Sequence, residues 1–382
     1  MRPLFGVVPT AAVLCALLVA ACTGGGAPAT APGPARGASE APAATVAAPP
    51  GRASVAPLAP LSPPVTVRVG TTSALTEAGQ IIALQRGYFR ELGLQVEYEQ
   101  FDSAARMIPQ LASGQLDVGA GSLSAGLWNA VARGVPIKVT GPQSRHFDNA
   151  CGFWFTVRKE LVDSGQVQEP KDLAGRKIAG PCLECIGDYI LETALATAGL
   201  TLADVDYMAL GFNDMLAALA NRAIDVAILA EAQATIAESQ GFATRWRCTS
   251  LARPGYQSTV ILYSAQFAEQ QAEAARRWML AYLRGLRDYT DALFRGQDRD
   301  AVVQALIEGT TVKDPALYQR MGWTWLDPNG ELNVPSIEEQ LNWLRARGKI
   351  EGQVQVRDVL DLSFVDFAVQ RLGRYDTTGL VQ

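Results

Sequence analysis

Histidine is almost absent from this sequence: His146 is the single one in 382 residues. That excludes any centre built on two imidazoles, including the HExxH zinc hydrolases. Clustered basic charge is missing too. Asp and Glu outnumber Lys and Arg by 38 to 33, the net charge is −5, and no basic block interrupts the chain. Without that electrostatic footprint, nucleic acid is not an expected partner. Past the N-terminus there is no run of about 18 apolar residues, so the rest of the chain is not expected to span a membrane. A Gly-x-Ser-x-Gly elbow is also lacking, which leaves His146 and the nearby Asp148 without a nucleophile to serve, and no catalytic residue is assigned. His146 itself reads as a surface or ligand-contact residue.

What is present begins with an export signal. Arg2 precedes an apolar stretch from Leu4 to Ala21 that reads as a secretory signal rather than a span. It ends in Val19-Ala20-Ala21-Cys22, which resembles the lipobox of bacterial lipoproteins. The resemblance implies a signal peptide over residues 1–21, a lipidated Cys22 at the new N-terminus, and an extracytoplasmic protein held to a membrane by its lipid. Residues 22–64 are rich in Ala and Gly, contain nearly half of the 21 prolines, and have few charges. Such a composition buries too little apolar surface to fold and reads as a semi-extended tether.

From Val65 onward, β-branched runs alternate with helical periodicity. Strands are predicted at Val65–Gly70, Leu94–Phe101, Leu116–Ala120 and Pro136–Thr140, with helices at Ala78–Leu92, Ser103–Gly114 and Ser124–Arg133, the last capped by Ser124. A second series follows, with strands at Cys151–Val157, Lys177–Ala179, Val205–Leu210 and Asp225–Leu229. After a strand at Ser258–Tyr263, the chain turns helical: one long helix at Ala265–Phe294, then shorter ones at Asp300–Glu308, Pro315–Met321, Ser336–Arg347 and Val356–Leu372. Alternation of this kind predicts an α/β fold with parallel sheets. An internal repeat divides it. Leu111-Ala112-Ser113-Gly114-Gln115-Leu116-Asp117-Val118 aligns with Leu219-Ala220-Asn221-Arg222-Ala223-Ile224-Asp225-Val226, and each copy ends a helix and enters an apolar strand. Their separation is a domain's length, too long for a solenoid, so two similar α/β lobes are implied.

Val67-Arg68-Val69-Gly70, Ala83 to Phe89 (ALQRGYF), Gly93-Leu94-Gln95-Val96 and Asp172 to Ala179 (DLAGRKIA), taken in order with the repeat, resemble the SsuA/THI5-like (NMT1-like) substrate-binding proteins of ABC importers. The resemblance implies a periplasmic-binding-protein type II fold: two α/β lobes with a ligand cleft between them and a helical C-terminal part packed on lobe one. Residues 65–143 and 253–382 then form lobe one, and residues 144–252 lobe two. It further implies a monomer that binds a small molecule and hands it to a membrane permease driven by an ATPase, with no cofactor and no metal. Fungal pyrimidine synthases of the same superfamily are enzymes that carry a run of cysteines and an active-site histidine. This chain has only Cys182-x-x-Cys185 and is exported, so an enzyme of that type, or a thiol-dependent one, is the alternative.

In open α/β sheets ligands bind beyond the carboxyl ends of the strands. Those ends carry Thr72 and Ser73, Asp102, Gly121 and Ser122, Cys182, and Glu231. Hydroxyls beside helix N-termini suit an anionic group, and Gly121-Ser122 with Ser124 is the first choice for such a cradle. The resemblance supports Thr72, Ser73 and Ser122 as ligand contacts; Glu231 departs from the Glu-Pro that many members carry, being followed by Ala232. Trp154 is the preferred stacking residue, whereas Trp128 is expected in the core. Sulfonate, pyrimidine, a riboflavin-like ring and an aromatic carboxylate all remain open as ligands. Four cysteines lie outside the export segment: Cys151, Cys182, Cys185 and Cys248. In an exported protein they are expected as disulfides, with three pairings open; free thiols and, less so, a four-thiolate metal site are the alternatives.

Overall fold

The computed structural model describes residues 58–101 and 104–381. The signal peptide, Cys22, most of the expected tether, and Asp102 lie outside the described residues. The last residues of that tether do not stand apart: Leu58 and Leu61 pack against the body, and the Leu61 amide donates to the Leu92 carbonyl at 3.2 Å.

Ten strands form two five-stranded sheets. The first takes β1 (Val65–Thr71), β2 (Leu94–Gln100), β3 (Val118–Gly121), β4 (Ile137–His146) and β10 (Tyr256–Ser264), in the order β2-β1-β3-β10-β4. The second takes β5 (Phe153–Arg158), β6 (Lys177–Gly180), β7 (Asp206–Ala209), β8 (Val226–Ala230) and β9 (Ala243–Cys248), in the order β7-β6-β8-β5-β9. The sheets are mixed, not parallel as expected. β1 runs parallel to β2 and β3, and β6 to β7 and β8, but β10 is antiparallel to β3 and β4, and β5 to β8 and β9. The two reversed strands are those the chain enters after crossing between sheets. They arrive without the intervening helix that makes a βαβ unit parallel.

The sequence repeat is a structural device. Asp117 and Asp225 each stand just before a strand, and each fixes the neighbouring strand of its sheet. Asp117 accepts from the Arg68 amide at 2.8 Å and pairs with the Arg68 guanidinium at 2.9 Å. Asp225 accepts from the Lys177 amide at 2.9 Å and pairs with Arg158 at 2.6 Å.

The inner strands β3, β8 and β10 are buried almost throughout, as strands covered on both faces are, whereas the outer strands β2, β7 and β9 keep exposed polar positions. The helix Ala272–Phe294 packs on Ala78–Gln85 and Ser363–Leu372. The first crossing is so close that a Cβ on Gly285 would lie 2.0 Å from the Gly79 carbonyl oxygen, so glycine is required there. The expected helix at Ala265–Phe294 is two helices, breaking at Gln271, and that at Val356–Leu372 shrinks to Ser363–Leu372. Trp128 is fully buried among Met107, Leu111 and Leu341, as expected.

Two adjacent crossovers join the sheets, residues 147–152 and 249–255. They are tied by a disulfide between Cys151 and Cys248 and by the Ser250 hydroxyl, which donates to Asp148 at 2.6 Å. Gln143 to His146 end strand β4 and lead directly into the first crossover. His146 is no surface residue. It is 2 % exposed, between Phe153 and Tyr256, with Nδ1 3.2 Å from the Thr324 hydroxyl, and burial lowers its pKa to about 3. It therefore stays neutral at physiological pH.

Candidate functional site

In the first sheet the parallel strands β2, β1 and β3 deliver their carboxyl ends to one edge. Thr72 and Ser73 follow β1. The Thr72 amide and hydroxyl both donate to Glu77, at 2.9 and 2.8 Å, and the Thr71 hydroxyl donates to the same carboxylate. Glu77 is 3 % exposed, and burial holds its carboxyl above the usual carboxylate range against the effect of these hydrogen bonds. Ser73 adopts a left-handed φ of 54°, and its hydroxyl donates to Gln100 at the end of β2 at 2.8 Å. The polar atoms of Thr72 and Ser73 are thus engaged in shaping the edge.

Gly121 ends β3, and a Cβ there would come within 2.6 Å of the Ala104 side chain. Ser122 is half-buried, and its hydroxyl has no hydrogen-bond partner among the described residues. Ser124 caps the helix Ala125–Ala132 by accepting from the Leu127 amide at 3.4 Å, as its position in the sequence predicts. Around the corner, Gln100, Phe101, Arg106, Pro109 and Gln110 line an open hollow of about 400 Å³. The Arg106 guanidinium in it forms no ion pair among the described residues.

The second sheet presents a corresponding edge after β6 and β8. Cys182 and Cys185 form a disulfide across the four-residue turn into the helix Ile186–Ala196. Asp188 organises this turn: it accepts from the Glu184 amide at 2.7 Å and from the Tyr207 hydroxyl at 2.9 Å, and burial raises its pKa. Trp154 lies on β5, half-buried, with Arg245 5.4 Å from its ring centroid and its indole nitrogen buried without a partner. Glu231, after β8, is 8 % exposed and fully used: Oε1 accepts from Arg245 and from the Gly322 amide, each at 3.0 Å, and Oε2 from the Thr235 hydroxyl at 2.7 Å. In this state its carboxylate binds protein rather than offering a free group.

The two edges meet. The Ala125 amide, at the start of the lobe-one helix, donates to the Glu184 carbonyl at 3.2 Å, so the N-terminus predicted as an anion cradle is met here by a loop of the other lobe. The C-terminal part, expected on the first lobe, packs there and also reaches the second. Trp343 donates to Glu192 of the second at 3.1 Å, and Lys349 pairs with Glu184 at 2.5 Å. On the other side Asn129 holds the carbonyl of Lys349 and the amide of Glu351, at 3.0 and 2.8 Å. Glu77, Glu184, Asn129 and Lys349 were not singled out from sequence; an Asn inside an otherwise apolar helix was the one available signal.

Two lobes of one topology, joined by paired crossovers and meeting at their strand carboxyl ends, define the two-lobed α/β binding fold. The family model described as NMT1/THI5 like matches residues 76–292, more than half of the chain, and the chain belongs to that family. Among solved structures it is similar to the periplasmic aliphatic sulphonate binding protein SsuA from Escherichia coli, with a TM-score of 0.63, 17 % identity, and coverage of 79 % of this chain and 99 % of that one. It is also similar to the periplasmic nitrate-binding protein NrtA from Synechocystis (TM-score 0.63, 14 % identity, 81 % and 89 % covered). The desulfurization enzyme DSZB matches as well (TM-score 0.57, 16 % identity, 81 % and 99 % covered). At these identities the likeness is one of fold. No match is found among curated proteins.

Proposed function

We propose that this protein is an extracytoplasmic solute-binding component of an ABC importer, anchored by a lipid on Cys22, that closes its lobes on a small organic anion. The observation that carries this is the meeting of the two strand-end edges, with the Ser122 hydroxyl, unengaged among the described residues, and a capped helix start on one side and the Cys182–Cys185 turn on the other. A helix N-terminus and hydroxyls favour an anion. The sulphonate- and nitrate-binding proteins of this fold bind anions by name. Thr72, Ser73, Gly121 and Ser122 would form the lobe-one wall, Cys182 and Trp154 the lobe-two wall, with Glu231 joining only if it exchanges a present partner for ligand. Asp102, outside the described residues, is kept as a proposed contact. Residues 65–143 and 253–382 serve as lobe one and residues 144–252 as lobe two, working as a monomer with a permease and its ATPase.

An enzyme on the same fold is the second reading, favoured by the likeness to the desulfurization enzyme. Against a thiol-dependent mechanism, Cys151, Cys182, Cys185 and Cys248 are all paired, and His146 is buried and neutral. Native mass spectrometry of purified protein, followed by titration calorimetry with aliphatic sulfonates, nitrate and pyrimidines, tests the proposal. Stoichiometric binding without turnover supports it. Conversion of a bound compound to product would replace it with the enzyme reading. For the anchor, Cys22→Ser should release the protein from membranes; retention after a high-salt wash would contradict it.

A further inference from the structure

The two disulfides differ in ways that matter chemically. Cys151 and Cys248 are 3 % and 9 % exposed and close a long stretch of chain, whereas Cys182 is half-buried on a turn whose next residue, Leu183, is 60 % exposed. Cys185 is buried and caps the helix Ile186–Ala196, its sulfur 3.4 Å from the Gly187 amide. Between the two sulfurs sits Glu184, left-handed with φ 56°, a conformation unfavourable for a residue with a Cβ. That same residue bridges the lobes, through its carbonyl to Ala125 and its carboxylate to Lys349.

We propose that the Cys182–Cys185 disulfide is a redox-modification site, and that its reduction by a dithiol unlatches the two lobes. The accessible sulfur is that of Cys182. A thiolate of the dithiol attacks it, forming a mixed disulfide and expelling Cys185 as thiolate. The second thiol of the reagent then displaces Cys182. The reagent leaves as its own disulfide, and the protein gains two electrons and two protons. The leaving group is well placed, because a thiolate at a helix N-terminus is stabilised by the dipole and by the Gly187 N–H, and a lower leaving-group pKa speeds exchange. Once the ring opens, nothing covalent holds Glu184 in its left-handed conformation. Its carbonyl then leaves Ala125, whose amide, in the first turn of its helix, has no intrahelical acceptor to fall back on.

The proposal rests on reading the interlobe space as the ligand cleft, since it assigns a control over that cleft. Its test needs no ligand, so its failure leaves the binding reading standing. Amide hydrogen exchange of the full chain is followed by NMR at Ala125, with Trp128, bonded to the Ser124 carbonyl within the same helix at 3.1 Å, as internal reference. Dithiothreitol is added stepwise, and free thiols are trapped and located by mass spectrometry. Trapping at Cys182 and Cys185 before Cys151 and Cys248, with Ala125 exchange rising about tenfold and Trp128 unchanged, is the expected result. The Cys182→Ser/Cys185→Ser protein should behave like the reduced one. Lys349→Ala, which leaves the disulfide intact and removes only an exposed ion pair, should raise Ala125 exchange by about fivefold or less. Thiols trapped at Cys182 and Cys185 with unchanged Ala125 exchange would overturn the proposal, as would reduction of Cys151–Cys248 first.

Discussion

The two lobes share one strand order and one aspartate device, yet the edges at their strand carboxyl ends are built differently. Lobe one shapes its edge by burying a carboxylate, Glu77, beneath the hydroxyls of Thr71 and Thr72. Lobe two shapes the matching edge covalently, with the Cys182–Cys185 ring. The repeat specifies the scaffold, while the chemistry of each edge is set by a few residues outside it. Among the described residues the Ser122 hydroxyl has no partner, whereas those of Thr71, Thr72 and Ser73 are all engaged.

The largest loss of stability is expected at the crossovers, which both lobes share. Removing Cys151–Cys248 by double alanine substitution should cost about 4 kcal/mol in urea denaturation, since the bond joins residues 97 apart. Next come the repeated aspartates. Asp117, with a side chain 2 % exposed, should cost about 3 kcal/mol on change to Ala; Asp225, at 17 %, about half as much. Equal losses would show that burial does not set the value of this device.

His146, buried where β4 ends, makes stability depend on pH. Its folded pKa is lowered to about 3, so the unfolded chain binds the extra proton as pH falls below about 6.5, and folding loses stability from there down. Between pH 7 and pH 5 this loss is about 2 kcal/mol. Glu77, Asp188 and Asp327 are raised by burial and act in the opposite sense, gaining stability as pH falls through their folded pKa. They are common to wild type and His146→Gln, so the difference between the two proteins isolates the imidazole: the variant should lack the 2 kcal/mol decline. The smallest effect on stability is expected from Cys182→Ser/Cys185→Ser, under about 2 kcal/mol, because the bond closes only a four-residue ring.

The strand cores and the repeat were legible in the sequence because β-branched runs and the Gly114/Asp117 and Arg222/Asp225 turns are local signals. Strand direction was not. Nothing in Phe153–Arg158 or Tyr256–Ser264 tells whether the chain enters the sheet through a helix or straight across from the other sheet. Four cysteines allow three pairings, and the sequence does not choose among them, since Cys151 and Cys248 meet only through the two crossovers. The strand ends that carry the proposed contacts Thr72, Ser73, Gly121, Ser122 and Cys182 could be read, because the strands themselves are local signals. Which of their groups are already engaged could not, as the partners Glu77 and Gln100 are fixed by folding rather than by spacing. The same holds for Glu231, whose partners Arg245 and Gly322 lie on separate elements.

The central claim is that ligand is held between the lobes and draws them together, because a ligand desolvated by both walls favours the closed state by its differential affinity. Small-angle scattering on wild type and Ser122→Leu, each with and without the compound that co-purifies, tests it most directly. The wild type should compact on binding and melt higher, by about 2.7 kcal/mol of added stability at a hundredfold excess over Kd, and Ser122→Leu should show neither change. Equal compaction and equal thermal shift in both proteins would contradict the placement of the cleft at the end of β3.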